Sequence, residues 1–383
     1  MIKEIKKNPM YGYLFYLVVA AAISNQAWNT LFNNYAVDIV GINGFQMGII
    51  QSVREIPGFL TFLVVYILIV IKEHRLSALS TVLMGIGVAI TGLFPSFKGL
   101  LFTTFLMSLG FHYFETTNKS LTLQHFGKKE APLVLGRFGS YSAIVSIFFG
   151  LMLLISVKFF PIWLNYLVYG IIISTIGLYF LFKNPIFLEV PKQKKGMVLK
   201  KKYWLYYALN FLAGARRQIF IAFAVFLLVK HYNFTVLEVA ILFVLNNIFV
   251  FLTAPKIAEG INRFGERKVL TFEYLALIFI FLGYAFIESR NVALILYIID
   301  HVIFGFAIGI NTYFQKTADS EDIAPSMGVG FAINHISAVI VPIIGGILWM
   351  TNWKTPFIMG AIFSAISLFF VKYIPKDIKI IQN

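Results

Sequence analysis

Of the 383 residues, 59% are apolar and 13% charged, and the mean hydropathy is +0.82; a water-soluble chain carries about a quarter charged residues. The composition excludes a soluble globular domain and makes lipid the solvent. Cysteine is absent, which excludes disulfides, thiolate metal sites and thiol catalysis.

Apolar runs long enough to cross a hydrocarbon core of about 30 Å, roughly 20 residues each, recur along the whole length. They predict twelve transmembrane helices. The first, at 10–36, follows a lysine-bearing start and runs on past Trp28 without a small-residue cleavage pattern, so it reads as a membrane span and not a signal peptide. It carries Asn25, Gln26, Trp28 and Asn29. Helix 2 (45–71) carries Arg54 and Glu55; helix 3 (76–95) has no charge at mid-depth; helix 4 (98–126) holds His112, Glu115 and Lys119 on one face, at spacings of three and four. Helices 5 (132–156) and 6 (160–183) complete a first half.

The longest polar interruption follows, with Pro191 and two lysine runs, and reads as a linker. The expected organisation is an N-terminal six-helix half at 1–183, a basic cytoplasmic linker at 184–202 and a C-terminal six-helix half at 203–383. In the second half, helix 7 (203–230) carries Arg216 and Arg217, and helix 8 (236–259) carries Asn246 and Asn247. Helix 9 (268–288) has Glu273 near its cytoplasmic end. Helix 10 (291–316) has Asp300 and His301, helix 11 (325–350) has Asn334 and His335, and helix 12 (354–374) is apolar at mid-depth.

With the N-terminus inside, the cytoplasmic segments hold 20 lysines and arginines and the outer loops 5. This asymmetry puts both termini in the cytoplasm and predicts a multi-pass protein of the cytoplasmic (inner) membrane. Anionic membrane lipid is then a sufficient partner for the basic loops. The formal charge of +15 needs no nucleic acid.

The chain also matches itself at an offset close to 192 residues. Helix 2 falls on helix 8, so that Arg54-Glu55 meets Asn246-Asn247 and Phe59-Leu60-Thr61 meets Phe251-Leu252-Thr253, and Arg75 meets Arg267 beyond them. Helix 5 falls on helix 11 with Gly136 on Gly328 and Ser142 on Asn334. At 191, helix 1 falls on helix 7 and Asn25-Gln26 lies opposite Arg216-Arg217. Duplication explains three helix pairs at nearly one offset.

Between helices 8 and 9, Asn262-Arg263-Phe264-Gly265-Glu266-Arg267-Lys268-Val269-Leu270 resembles the loop signature of the major facilitator superfamily, Asp-Arg-x-Gly-Arg-Arg/Lys-x-x-Leu, with Asn262 where Asp is usual. The first-half counterpart, Lys72-Glu73-His74-Arg75, keeps the last arginine. The resemblance implies an all-α membrane protein with two pseudo-symmetric halves, helices 3, 6, 9 and 12 on the outside, and a solute site between repeats at the midplane. It also implies a cytoplasmic gate loop at Arg75, Arg263, Gly265, Arg267 and Lys268. The Gly-Pro element of the family's drug-proton antiporters is missing from helix 5, as is their arginine from helix 4.

A charge at mid-bilayer costs roughly 2.5–3.5 kcal/mol, so the polar residues of the inner helices should face a cavity or a partner. Asn25, Arg54, Glu55, Arg216, Arg217, Asp300 and Asn334 lie about 9–15 residues from a helix end, roughly 13–22 Å at helical rise. Arginine's planar fork suits a carboxylate or phosphate. The expected solute-binding set is Arg54, Arg216 and Arg217 with Asn25, Gln26, Trp28, Asn29, Asn246, Asn247 and Asn334. Counted with Lys119 against Glu55, Glu115 and Asp300, these arginines leave one positive charge over, which an anionic solute would balance. Because Arg54 and Glu55 diverge by about 100° around their helix, their partners are expected on other helices. Glu55, Glu115 and Asp300, with His112, His301 and His335, are the proton-coupling candidates.

The expectation is a secondary active transporter of a small polar, anionic solute, working by alternating access with proton coupling, as a monomer and without a cofactor. An exporter of drugs or amphiphiles by proton antiport, suggested by the 41 Phe, and a non-transporting ligand sensor are the alternatives. No phosphate-binding loop, zinc-type spacing or nucleophile elbow suggests an enzyme.

Overall fold

The computed structural model describes residues 5, 7–126, 130–185, 199–319 and 322–375. These form twelve helical spans: α1 (Pro9–Asn34), α2 (Gly44–Phe59), α3 (Glu73–Thr91), α4 (Phe97–His125), α5 (Ala131–Phe159), α6 (Ile162–Leu181), α7 (Trp204–Ile219), α8 (Val236–Phe264), α9 (Glu266–Phe286), α10 (Arg290–Ile303), α11 (Ile323–Thr351) and α12 (Thr355–Phe370). No strand occurs among the described residues. The predicted linker falls largely on residues 186–198, outside the described set, as do Lys128 and Lys129 of the basic loop ahead of α5.

Nine of the spans are apolar and long enough to cross a membrane. The three that fall short are α1, α2 and α4, the same helices on which the sequence concentrates amides and charges. In α2 the regular helix is also short: Pro57 lies inside it, and past Phe59 the chain continues as the 3-10 turn Leu60–Leu63 and Val64–Ile67. A proline removes a backbone donor and crowds the preceding turn, which favours such tightening. α7 and α10 are likewise interrupted, by the π stretch Phe220–Ala224 and the 3-10 turn Phe304–Ala307, before continuing to Lys230 and Thr317.

Local chemistry sets the helix starts. Asn8 caps α1 by accepting from the Met10 amide at 3.0 Å, with Pro9 in the first turn. Thr235 and Glu238 form a capping box ahead of α8, the Thr235 amide donating to Glu238 Oε2 at 2.9 Å and the Glu238 amide to Thr235 Oγ1 at 3.3 Å. Gly265, at φ 81°, makes the turn from α8 to α9, a conformation that glycine adopts without strain.

The chain divides into two compact units. One comprises Met1–Ile42, Val53–Gln193 and Thr235–Asn247; the other comprises Asn43–Ser52, Lys194–Phe234 and Ile248–Asn383. The first residues of α2 thus belong to the second unit and the first residues of α8 to the first. These two exchanged segments are related by the repeat, since Asn43 shifted by 192 is Thr235. Their contacts match as well. Within the second unit, Ser52 Oγ donates to the Val339 carbonyl at 2.6 Å, and a Cβ on Gly48 would lie 2.1 Å from the Pro342 carbonyl oxygen. Within the first, a Cβ on Gly150 would lie 2.8 Å from Val244 Cγ2. Gly150 shifted by 192 is Pro342, and Ser52 shifted by 192 is Val244. The same helix pair is built twice.

In the first unit, α3 lies between α4 and α6 at backbone contact. A Cβ on Gly170 of α6 would fall 2.3 Å from the Ala89 nitrogen, and one on Gly110 of α4 would fall 2.4 Å from the Met84 nitrogen. Small residues permit this closeness in a membrane, where packing replaces the hydrophobic drive between helices. Gly170→Val is expected to force α3 and α6 apart and to cost about 1–3 kcal/mol, read as a lower thermal midpoint in detergent. Gly139→Ala, in open space, should leave it unchanged. In the second unit, α7 packs on α11 and α12, and α9 packs on α12, around a cluster that includes Tyr203, Tyr206, Tyr274 and Phe314.

Candidate functional site

In the first unit, α1 presents its polar residues unequally. Asn25 is exposed and Asn29 half-buried, while Gln26 is buried. Gln26 Nε2 donates to Thr30 Oγ1 at 3.1 Å, and its Oε1 accepts from Asn247 Nδ2 at 3.3 Å, so the start of α8 is joined to α1 by an amide pair. Trp28 departs from its expected place in an open binding pocket. It is 3% exposed, stacked on Phe32 at 4.8 Å and edge-on to Tyr166 at 6.3 Å, which makes it packing between α1 and α6.

Arg54 and Glu55, expected to seek partners on other helices, pair with each other, Arg54 Nη2 donating to Glu55 Oε1 at 3.1 Å. The long arginine stem folds back over the 100° that separates the two Cα–Cβ directions. Ser108 of α4 donates to the Arg54 carbonyl, fixing α2 beside α4 at this level. Further along α4, Lys119 and Glu115 form an i,i+4 pair at 2.7 Å on a face open enough to leave them 54% and 34% exposed. His112 is buried, as is Asn246, whose side-chain oxygen and nitrogen both lack a hydrogen-bond partner among the described residues.

The second unit holds a cluster that the sequence reading did not assemble. Arg216 of α7 has no exposed surface and is the largest fully buried side chain of the described residues. Its Nη2 lies 3.8 Å from Glu273 Oε1 of α9, its guanidinium carbon lies 4.5 Å from the centre of the Tyr274 ring, and Nη1 donates to Ser367 Oγ of α12. Glu273, expected near the cytoplasmic end of a lipid-facing helix, is fully buried. The signal for it was a carboxylate in an apolar run, but position along one helix says nothing of which face it occupies. Its inclusion removes the expected surplus of positive charge: within the spans Arg54, Lys119, Arg216 and Arg217 now stand against Glu55, Glu115, Glu273 and Asp300.

Arg217, about 100° further round α7, is half-buried. Gln218 and Asp300 are fully buried, and neither has a hydrogen-bond partner for any side-chain polar atom among the described residues. Buried polar groups of native proteins are nearly always paired, so these two stand out, together with the Glu273 carboxyl, as unmet polar groups of the second unit. Around this part of α10, the Phe220 ring lies 4.9 Å from that of Tyr297 and 5.9 Å from that of His301. On α11, Asn334 Nδ2 donates to the Asn210 carbonyl of α7 at 3.1 Å, and the buried His335 ring lies 4.5 Å from that of Phe331.

At the α8–α9 turn, Arg267 Nη1 donates to the Ile374 carbonyl at 3.1 Å, tying the start of α9 to the end of α12. The neighbouring Glu266 forms an ion pair with Lys316, Oε1 to Nζ, at 2.6 Å. Arg263, Lys268 and, in the first unit, Arg75 are exposed.

The linker's last residues are clasped on the same side of the unit. Lys200 Nζ and Tyr203 Oη both donate to Asp322 Oδ2, at 2.5 and 2.6 Å, and Lys202 pairs with Asp319. The hydrogen bonds from Lys200 and then Tyr203 hold the Asp322 carboxyl below the usual carboxylate range, and the same bond raises the Lys200 ammonium. A depressed carboxyl contributes its stabilisation above the ordinary carboxylate pKa and loses it as pH falls through the depressed value. Amide exchange at residues 199–203, corrected for intrinsic rate, should therefore be slow at neutral pH and rise in strong acid. Asp322→Asn should accelerate tryptic cleavage at Lys200–Lys202 several-fold at neutral pH.

The major facilitator superfamily family model matches residues 13–329. An uncharacterized MFS-type transporter of Methanocaldococcus jannaschii is 22% identical over 143 residues, 37% of this chain and 36% of that protein, so the chain spans about a third of the length of the curated relative it matches. The fold is similar to that of the nucleoside transporter NupG, with TM-score 0.77 at 15% identity over 95% of this chain and 99% of the other. It is also similar to a POT family transporter in complex with 5-aminolevulinic acid, with TM-score 0.76 at 14% identity over 96% of each. A bacterial homolog of the human lysosomal transporter Spinster superposes at TM-score 0.69 and 12% identity, over 94% and 95%. These neighbours are transporters and not enzymes, and this multi-pass chain belongs to the major facilitator superfamily.

Proposed function

We propose that the chain is a secondary active transporter of the cytoplasmic membrane, with both termini in the cytoplasm, which carries a small polar, anionic solute together with a proton by alternating access. It acts as a monomer in this reading, in contact with membrane lipid. The observation that carries it is Asp300, a fully buried carboxyl with neither oxygen hydrogen-bonded among the described residues.

An ionised carboxyl in such a place is costly unless a charge or a donor reaches it. A proton is the simplest visitor that could. The count of four cations and four carboxylates within the spans is balanced when Asp300 is ionised. Protonation of Asp300 leaves one positive charge over, and an anionic solute restores the balance. Proton and anion then favour each other's binding, which is the thermodynamic content of symport. Arg217 is assigned the anion, through its planar fork, because it is half-buried while Arg216 is wholly enclosed. The unmet amide of Gln218 supplies polar recognition beside it.

The test is uptake by proteoliposomes across organic anions, phosphorylated compounds, nucleosides, 5-aminolevulinic acid and cationic dyes, with and without an inward proton gradient. Gradient-stimulated uptake of an anion is expected. A hydrogen bond to a charged group is worth about 1.5–3 kcal/mol, so Arg217→Gln should raise the KM for that anion by roughly tenfold to a hundredfold. Transport of dyes against the gradient would instead identify an exporter, and absence of flux for every solute would favour a sensor.

A further inference from the structure

In the first unit a cleft of about 710 Å³ opens between the start of α1 and the end of α6. Its floor is rigid. Tyr13 donates through Oη to the His74 carbonyl at 2.7 Å and meets the Phe180 ring edge-on at 5.4 Å, while Tyr16 stacks on Phe180 at 5.3 Å. Tyr16 and Tyr179 line the cleft and are 50% and 58% exposed. Gly12 faces this open space: a Cβ there would meet nothing within 4 Å. At the mouth stands Lys183, its ammonium 4.8 Å from the centre of the Tyr179 ring. Among the described residues lining the cleft it is the one charged group.

The chemistry is graded along the cleft. From Thr175 to Lys183 α6 advances roughly 12 Å at helical rise, from an apolar, aromatic interior to a cation. A soluble anion would find a single lysine and no converging donors deeper in. An amphiphile with a negative head and a hydrocarbon tail matches both ends. Tyrosines at the edge of a hydrocarbon layer, with apolar faces and a polar tip, suit the headgroup level, and lysine near a helix end draws anionic lipid. We infer that the cleft is a binding site for an anionic phospholipid of the leaflet on the Lys183 side. The phosphate sits on Lys183, and an acyl chain lies over Gly12 against Tyr13, Tyr16, Tyr179 and Phe180. The site is separate from the solute reading and stands whether or not that reading holds.

Native mass spectrometry of the purified chain in detergent tests it, with phosphatidylglycerol and phosphatidylcholine of the same acyl chains. Phosphatidylglycerol should be retained several-fold more than phosphatidylcholine. Lys183→Gln should abolish that preference while sparing acyl binding. Gly12→Leu, whose side chain enters open space, should reduce retention of both lipids, with the thermal midpoint showing that the variant is folded. Equal retention of the two lipids by the unaltered chain would overturn the inference, as would undiminished retention by Gly12→Leu. Displacement of phosphatidylglycerol by an equal concentration of inorganic phosphate would overturn it in favour of a free-anion site.

Discussion

Glu273→Gln is expected to destabilise the protein by about 3 kcal/mol, the low end of the 3–5 kcal/mol for breaking a buried ion pair. The low end applies because the pair is 3.8 Å apart and neither Glu273 oxygen accepts a hydrogen bond among the described residues. The substitution leaves the Arg216 guanidinium fully buried with Ser367 and the Tyr274 ring as its remaining contacts, and a guanidinium cannot discharge itself by losing a proton. The reverse change, Arg216→Gln, should cost less, about 1–3 kcal/mol, because the carboxyl left behind can take up a proton. Arg216→Gln with Glu273→Gln should recover part of the larger loss. Thermal unfolding in detergent across the four proteins forms a double-mutant cycle. Losses that simply add would show that the two groups do not interact. If Arg216 instead binds solute, Arg216→Gln should leave stability unchanged and weaken binding.

The architecture was legible in the sequence because a bilayer leaves the backbone so little choice: a span must be helical and about 20 residues long. All twelve predicted spans have counterparts. The repeat was legible too, and the exchanged starts of α2 and α8 show what it preserved, a helix pair made with Gly48 and Pro342 in one unit and with Val244 and Gly150 in the other. Side-chain direction was not legible. Trp28 and Asn25 lie on the same helix at similar depth, yet one is packed against α6 and the other is exposed. Glu273 was discounted by its distance from the end of α9, although Arg216 reaches it from α7. Arg54 was sent to another helix by its Cβ direction, although its long flexible stem folds back on Glu55; the Glu55 carboxylate itself does come within 4.8 Å of a His112 ring nitrogen on α4. In each case a one-dimensional depth or angle stood in for a contact set by tertiary packing. The clasp of Lys200, Tyr203 and Asp322 was hidden for another reason: its partners lie 119 and 122 residues apart, and charged residues flanking a membrane span are ordinarily solvated or lipid-bound.

Asp300→Asn is expected to separate solute movement from the proton gradient. One pH unit is worth about 1.4 kcal/mol per proton, so a one-to-one symporter driven by such a gradient can accumulate its solute at most about tenfold. The variant should bring accumulation down to about unity while exchange of labelled for unlabelled solute across the membrane continues, since exchange needs no net proton movement. Stability should hold or rise slightly. The carboxyl has no hydrogen bond to lose among the described residues, and an amide of the same shape carries no charge to bury. This pattern would distinguish a coupling residue from a structural one: a structural carboxyl would lower the thermal midpoint and depress exchange and accumulation together. A variant that still accumulates solute tenfold would remove Asp300 from the coupling path. The proton would then have to be carried by another group, with the buried His335 of α11 and the half-buried His301 of α10 the next to test in the second unit.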